Sequence, residues 1–170
     1  MSKPTAAVFS AFPHGPGQSP DAMTSLPNGQ IKGLGVVGLG GNDPKDYKVG
    51  CIRITTGTIP GSPSGSGTAA LYLATSEDGV IFTDNLDPNS TNGAAQLTLF
   101  VAGQKIAQNL IQQITCRASA TAYYFDAFSV LQRIGYVPTF FGLFVMNNTG
   151  AAFATTATAF VAGYKQIDFT

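Results

Sequence analysis

The sequence has few charged residues and no tryptophan. Charged side chains make up 11% of the chain, against about a quarter in an average soluble protein. The nine basic and nine acidic residues cancel, and no stretch collects several lysines or arginines. Because a nucleic-acid surface needs several phosphate-neutralising cations on one face, we expect no direct contact with a genome. A net charge near zero instead favours association with other proteins.

Long apolar runs are also missing. The first seven residues lack the apolar core of a signal peptide, and the longest apolar run, residues 140–146, is far too short to cross a bilayer. We therefore expect a protein that is made and at least initially kept in the cytoplasm, with no membrane partner. In that reducing compartment Cys51 and Cys116 are expected to be buried thiols, and a disulfide between them is the alternative.

Residues suited to catalysis are equally scarce. The only histidine, His14, lies between prolines and glycines, which cannot hold it rigidly beside a nucleophile, and no zinc ligand pair exists. Residues 33–38 match the dinucleotide-binding pattern G-x-G-x-x-G, but residues 40–44 cannot start the helix that this motif requires. We interpret that stretch as flexible. The chain is predicted not to be an enzyme, with no catalytic, cofactor-binding or metal-binding residue.

One acidic stretch has a composition that could suit calcium. Glu77, Asp78, Asp84 and Asp87 bring oxygen donors close together, as calcium requires. The stretch lacks the glycine and the distal glutamate of a calcium-binding helix-loop-helix. We therefore favour the alternative, in which these side chains form turns, and predict no cofactor.

Residues 1–48 are predicted to form an extended arm. They contain six of the ten prolines and many glycines, a composition that argues against regular structure. Their apolar residues are nevertheless too numerous for a solvated, disordered tail. An arm that lies across its own sheet, or across a neighbouring subunit, satisfies both observations.

Residues 49–170 alternate with a period of two, which is typical of β-strands. Residues 104–113 fit either a helix or a strand. About eight strands separated by turns favour one all-β domain, an antiparallel β-sandwich or jelly roll. The clearest strands are predicted at residues 48–55, 69–75, 80–83, 96–101, 122–134, 139–146 and about 157–169, with hairpin turns at Asp78-Gly79 and at residues 135–138.

The strands at 122–134 and 139–146 carry large apolar groups on both faces. A strand of an isolated sandwich has one polar face, so these strands are either central and covered by the arm or buried against a second subunit. The two arrangements can coexist. Candidate interface residues are Phe9, Phe12, Leu26, Ile31, Leu34, Tyr123, Phe125, Phe140, Phe144 and Met146.

The arm, the low charge, the turn at 75–83 and the run at 136–150 together resemble small virion proteins of tailed bacteriophages. The resemblance is to jelly-roll capsid cement or decoration proteins, and it covers residues 49–169. It implies a homo-oligomer, with a trimer favoured, on the capsid surface of the virion. There it would clamp the subunits of a major capsid protein together without covalent bonds. No functional residue is carried over by this resemblance.

The alternative from another functional class is a receptor- or carbohydrate-binding β-sandwich module of a phage tail. The turn near Asp78 resembles that of discoidin-like sugar-binding sandwiches, and exposed aromatic rings beside Asp or Asn stack on sugars. The absence of tryptophan, the most useful stacking residue, weighs against this function. Affinity for polysaccharide distinguishes the two.

Overall fold

The computed structural model of this chain describes residues 10–11, 25–38, 46–49, 52–58, 67–83, 86, 88, 110–154 and 163–167. All strand pairs formed by these residues are antiparallel, which confirms the all-β class. The elements are β1 (Ser10–Ala11), β2 (Gln30–Gly38), β3 (Asp46–Val49), β4 (Ile52–Thr55), β5 (Thr68–Ser76), β6 (Leu110–Thr115), β7 (Ala122–Phe125), β8 (Phe128–Ser129), α1 (Val130–Ile134), β9 (Phe140–Asn148) and β10 (Gly163–Ile167). Within the same part of the chain, no helix is long and apolar enough to cross a membrane.

The strands form three sheets. The central sheet has the order β2-β9-β5-β6, a second sheet has the order β1-β10-β3-β8, and β4 pairs with β7. Strand β9 is paired along its whole length with β5 and along most of it with β2. Strand β5 in turn lies between β9 and β6. Strand β9 is therefore paired on both edges, whereas β6 pairs with β5 only from Thr68 to Tyr72.

Hydrophobic clusters cover both faces of the central sheet. On the first face, β9 residues such as Leu143 pack with Ile52 of β4, Phe125 of β7 and Val130 of α1. On the second face, Phe144 packs with residues that include Phe82. Strand β9 is thus central and covered on both faces within one chain, as in the first of the two predicted arrangements, but these covering residues belong to β4, β7, α1 and the loop after β5 and not to the arm.

Strand β2 corrects the prediction of irregular structure in the arm. Residues 30–38 pair with β9, with a bulge between Gly33 and Val36, so the flexible interpretation of the G-x-G-x-x-G match was wrong. Burial of Ile31, Leu34 and Val37 and the bonds to β9 outweigh the weak strand propensity of glycine. The predicted boundary between residues 48 and 49 falls inside β3.

The glycines near this bulge allow a close approach to the sheet. A Cβ added to Gly33 would overlap the Pro88 backbone, and one added to Gly142 would overlap the Pro88 ring. The Gly35 N–H donates to the Pro88 carbonyl at 3.0 Å. Because Gly33 and Gly142 have no side chain, Pro88 can pack directly against the second face of the sheet.

The hairpin predicted at Asp78-Gly79 was wrong. Gly79 does have a positive φ of 73°, but residues 80–83 do not form a strand. Strand β6 pairs with β5 only from Thr68 to Tyr72, and beyond Tyr72 the Thr75 N–H donates to the Thr83 hydroxyl at 3.4 Å, which is a side-chain contact. Residues 77–83 instead form a compact loop beyond the end of β5.

The long strand predicted at 122–134 is broken into β7, β8 and α1. Ser129 caps α1, since its hydroxyl accepts the Gln132 N–H at 3.1 Å. Gly135, with a φ of 80°, ends it and donates its N–H to the Leu131 carbonyl. Strand β7 pairs with β4 and not with β9, so the hairpin across 135–138 was also wrong.

The remaining strand predictions agree with the structure in part. The strand at 48–55 is split between β3 and β4, and the ambiguous segment ends in a strand, because residues 110–115 form β6. The last strand, β10, lies within the predicted span of about 157–169, and the other residues of that span lie outside the described part of the chain. The features that lie outside the described residues are Phe9, Phe12, His14, Cys51, Asp84, Asp87 and the strand predicted at 96–101.

Candidate functional site

The fully buried polar side chains hold the scaffold together. The Asn147 amide nitrogen donates to the Leu26 and Ala151 carbonyls, both at 2.8 Å. Its oxygen accepts the Thr149 N–H at 3.0 Å and the Thr149 hydroxyl at 2.7 Å. All four hydrogen-bonding positions of the amide are therefore used within the chain.

The side chains of Thr56 and Tyr123 also form hydrogen bonds that hold the scaffold together, at the end of β4. The Thr56 hydroxyl donates to the Ala118 carbonyl at 2.8 Å and accepts the Thr121 N–H at 3.2 Å. The Tyr123 hydroxyl accepts the N–H groups of Arg117 and Ala118 at 2.9 and 2.8 Å. These contacts fix the turn before β7.

The exposed apolar side chains gather elsewhere, beyond the carboxyl end of β5. Val80 is 81% exposed, Ile81 66% and Tyr136 47%. They are three of the four large exposed hydrophobic residues among those described, and the fourth, Tyr124 on β7, is 53% exposed. We call residues 75–83 together with residues 135–139 the β5 rim.

Asp78 fixes the loop that carries Val80 and Ile81. Its Oδ1 atom accepts the N–H groups of Val80 and Ile81, both at 2.8 Å, and the Ser76 hydroxyl at 2.9 Å. The Ser76 hydroxyl oxygen also accepts the Gly79 N–H at 2.9 Å. The bonds from Ile81, Val80 and Ser76 lower the pKa of Asp78, because they favour the charged carboxylate.

Hydroxyl groups join the two segments of the rim. The Tyr136 hydroxyl lies 2.9 Å from the Thr75 hydroxyl, which is 3.3 Å from that of Thr83. The Thr139 hydroxyl donates to Glu77 Oε2 at 2.7 Å. The phenol oxygen of Tyr136 and the carboxylate of Glu77 are therefore both tethered, although both side chains are exposed.

The charge of the rim has one sign. It contains Glu77 and Asp78, and neither of its two segments contains a lysine, arginine or histidine. Asp78 forms a turn, which was the favoured alternative to calcium binding. Among the described residues, no group of three or more His, Cys, Asp or Glu side chains could hold a metal ion.

Two other polar features lie outside the rim. On β4, Arg53 Nε and Thr55 Oγ1 are buried without a hydrogen-bond partner, and Arg53 lies opposite the exposed Tyr124 of β7. Cys116 is a buried free thiol, as predicted. Burial raises its pKa to about 11, so the thiol is poorly suited to nucleophilic chemistry.

Most predicted interface residues that the structure describes are used inside the chain. Leu26, Ile31, Leu34, Phe125 and Phe144 are buried and have almost no surface to offer a partner, whereas Tyr123, Phe140 and Met146 are partly buried. Sequence reasoning missed Val80, Ile81 and Tyr136. The first two come directly after Asp78-Gly79, and only the assumption of a hairpin strand assigned them to the sheet.

Comparison with protein-family models, with curated proteins and with solved structures finds no match to this chain.

Proposed function

We propose that this chain is a virion structural protein, a capsid cement or decoration subunit of a tailed bacteriophage. It would form a homo-oligomer, with a trimer favoured, and clamp the subunits of a major capsid protein on the capsid surface without covalent bonds. The observation that carries the proposal is the β5 rim. There, hydrogen bonds to Asp78 hold the backbone of a loop that exposes the aliphatic side chains of Val80 and Ile81.

The strand order supports a jelly roll as the finer architecture. In a jelly roll the first, last, third and sixth strands form one sheet in that order, and the second, seventh, fourth and fifth form the other. If β3 with β4 counts as one strand and β7 with β8 as another, the sheet β1-β10-β3-β8 has the first order and the sheet β2-β9-β5-β6 has the second. Jelly rolls occur in viral capsid proteins and in lectins.

The rim suits docking because it is ordered before a partner arrives. Binding usually costs free energy for the ordering of loops and side chains. The Asp78 bonds and the hydroxyl contacts of Thr75 lower that cost. A subunit that binds only the assembled shell stabilises the shell by mass action, and three rims in one trimer would increase the overall affinity.

The apolar tip defines the first test. Full burial of a Val or Ile side chain contributes about 1.5–3 kcal/mol, so docking that buries part of both should contribute roughly 2–4 kcal/mol. We expect the V80S/I81S variant to bind capsids of the major capsid protein about 30-fold to several hundred-fold more weakly. Co-sedimentation with those capsids measures this loss.

Tyr124→Ser is the matched control, because Tyr124 is exposed on β7, outside the rim. Its binding should equal that of the wild-type protein. Equal binding by V80S/I81S, with an unchanged circular dichroism spectrum, would contradict the proposal.

Light scattering measures the solution mass of the protein. We expect the mass of a trimer, and the mass of a monomer would contradict the proposal that an oligomer clamps the capsid subunits. Removal of residues 1–48 would delete β2 from the central sheet. A truncation that tests the arm must therefore keep residues 25–38.

One observation favours the carbohydrate-binding alternative, namely that the Tyr136 hydroxyl and the Glu77 carboxylate are both tethered at the rim. An aromatic ring beside a hydrogen-bond acceptor can bind a sugar. Retention on immobilised polysaccharide that is lost in Tyr136→Ser would replace the cement function with this one.

A further inference from the structure

We infer that the β5 rim recognises a basic and apolar protein surface, with Val80 and Ile81 in an apolar depression and a partner lysine or arginine paired with Glu77. This inference rests on the proposed function, because it specifies the chemistry of the capsid surface to which the rim would bind.

Glu77 is placed to receive a cation. Its side chain is exposed, and the Thr139 hydroxyl holds one carboxylate oxygen at 2.7 Å. The other oxygen, Oε1, accepts no hydrogen bond from the Thr139 hydroxyl. A carboxylate that is already oriented loses less side-chain freedom when it forms an ion pair.

The charge of the rim selects the sign of the partner. Glu77 is next to Asp78, and residues 75–83 and 135–139 contain no basic residue that could balance them. The hydrogen bonds to Asp78 keep that carboxylate ionised at neutral pH. The rim therefore carries two negative charges beside its apolar tip, and a surface of positive charge complements it.

The composition of the rim favours a protein over a sugar or a membrane. Val80 and Ile81, the two most exposed side chains of the set, have no hydrogen-bonding group for the hydroxyls of a sugar. The two carboxylates would be repelled by the anionic lipids of a membrane surface. A protein surface offers both apolar depressions and basic side chains.

Each part of the rim is expected to affect a different rate. Charges at the edge of an interface mainly change the association rate and its salt dependence. Apolar contacts at the centre mainly change the dissociation rate. Glu77 and the pair Val80–Ile81 can therefore be separated kinetically.

The test measures association of the full chain with immobilised capsids of the major capsid protein, between low and high NaCl. Glu77→Gln removes the charge but keeps an oxygen that can accept the Thr139 hydroxyl. We expect it to slow association several-fold at low salt and to flatten the salt dependence, with the dissociation rate unchanged within twofold. Glu77→Lys should slow association more than tenfold.

Asp126→Asn is the matched control, since Asp126 is an exposed acid outside the rim and its loss should leave the rate unchanged. If Glu77→Gln and Glu77→Lys behave like this control while V80S/I81S loses binding, the inference fails and the proposed function stands. If the wild-type chain does not bind the capsids, both fail. Retention on polysaccharide that depends on Glu77 would also overturn the inference.

Discussion

Replacement of Asn147 by Asp tests the buried network that joins β9 to the segment before β2. The substitution keeps the size of the side chain and replaces its two N–H donors with an oxygen. That oxygen would face the carbonyls of Leu26 and Ala151, which now accept from the amide at 2.8 Å. The opposite oxygen would keep its bonds from Thr149.

The cost depends on the partners that each group retains. The Leu26 carbonyl keeps the Phe153 N–H at 3.0 Å. The Ala151 carbonyl lies 3.0 Å from the Thr149 hydroxyl, but it shares the single proton of that hydroxyl with the oxygen of residue 147. The penalty comes from a buried carboxylate oxygen without a donor. An unsatisfied buried group costs about 1–3 kcal/mol, and more when it is charged. We therefore expect Asn147→Asp to lose about 3 kcal/mol or more at pH 7, out of a total stability of about 5–15 kcal/mol.

The loss should depend on pH. Burial beside two carbonyls raises the pKa of the new Asp in the folded state above its unfolded value of about 3.9. Below that value the protonated acid donates one hydrogen bond and the penalty is smallest. As the pH rises from about 3.9 through the raised folded-state pKa, the variant loses stability relative to the wild-type protein, and above that pKa the loss is constant.

Urea unfolding at pH 4 and pH 7 measures this difference, with tyrosine fluorescence as the signal because the chain has six tyrosines and no tryptophan. Asn148→Asp is the control, since Asn148 is the adjacent residue of β9 and is exposed. Equal losses for the two variants at pH 7, or a loss at Asn147 that does not change with pH, would contradict this account of the network.

Three further predictions concern the scaffold. Gly142→Ala should cost about 1–3 kcal/mol in urea unfolding, because its Cβ would overlap Pro88; a Pro88→Gly background that recovers none of this loss would contradict the overlap. The amide NMR shifts of Val80 and Ile81 should titrate together at a pH below the ordinary Asp pKa of 3.8. Since the folded-state pKa of Asp78 is lowered, the loop is ordered above that pKa and loses order as the pH falls through it. A titration midpoint at or above 3.8 would argue against the hydrogen bonds to Asp78. In a Cys51→Ser background, Cys116 should react slowly with a thiol reagent at pH 8 and rapidly in urea, because burial raises its pKa to about 11; equal rates in both conditions would show that the thiol is not buried.

Several local features of this fold could be predicted from the sequence. The period of two and the spacing of turn residues indicated the all-β class. The turn at Asp78-Gly79 has the expected positive φ, and the apolar residues on both faces of 139–146 correspond to a strand that is buried on both sides. These features depend on residues close together in the chain.

Pairing partners could not be predicted in the same way. The alternation at 122–134 is consistent with one strand, yet Ser129 caps a helix within it and Gly135, the next residue after it, ends that helix. The glycines of 30–38 argued against a strand, and the long edge of β9 stabilises one there. At 122–134 local capping residues outweighed the alternation, whereas at 30–38 the preference of the segment was overridden by contacts with residues distant in sequence.

The β5 rim is the clearest example of this division. The sequence was sufficient to indicate that Asp78 and Gly79 make a turn, because a carboxylate and a glycine satisfy a turn locally. The path of the chain after the turn depends on the tertiary structure instead. Strand β6 pairs with β5 only as far as Tyr72, and beyond it Thr75 contacts the side chains of Thr83 and Tyr136. Val80 and Ile81 join no strand and remain exposed. Tyr136 is distant from Thr75 in sequence, and its contact with Thr75 depends on how the whole chain folds, so no local pattern of residues encodes it.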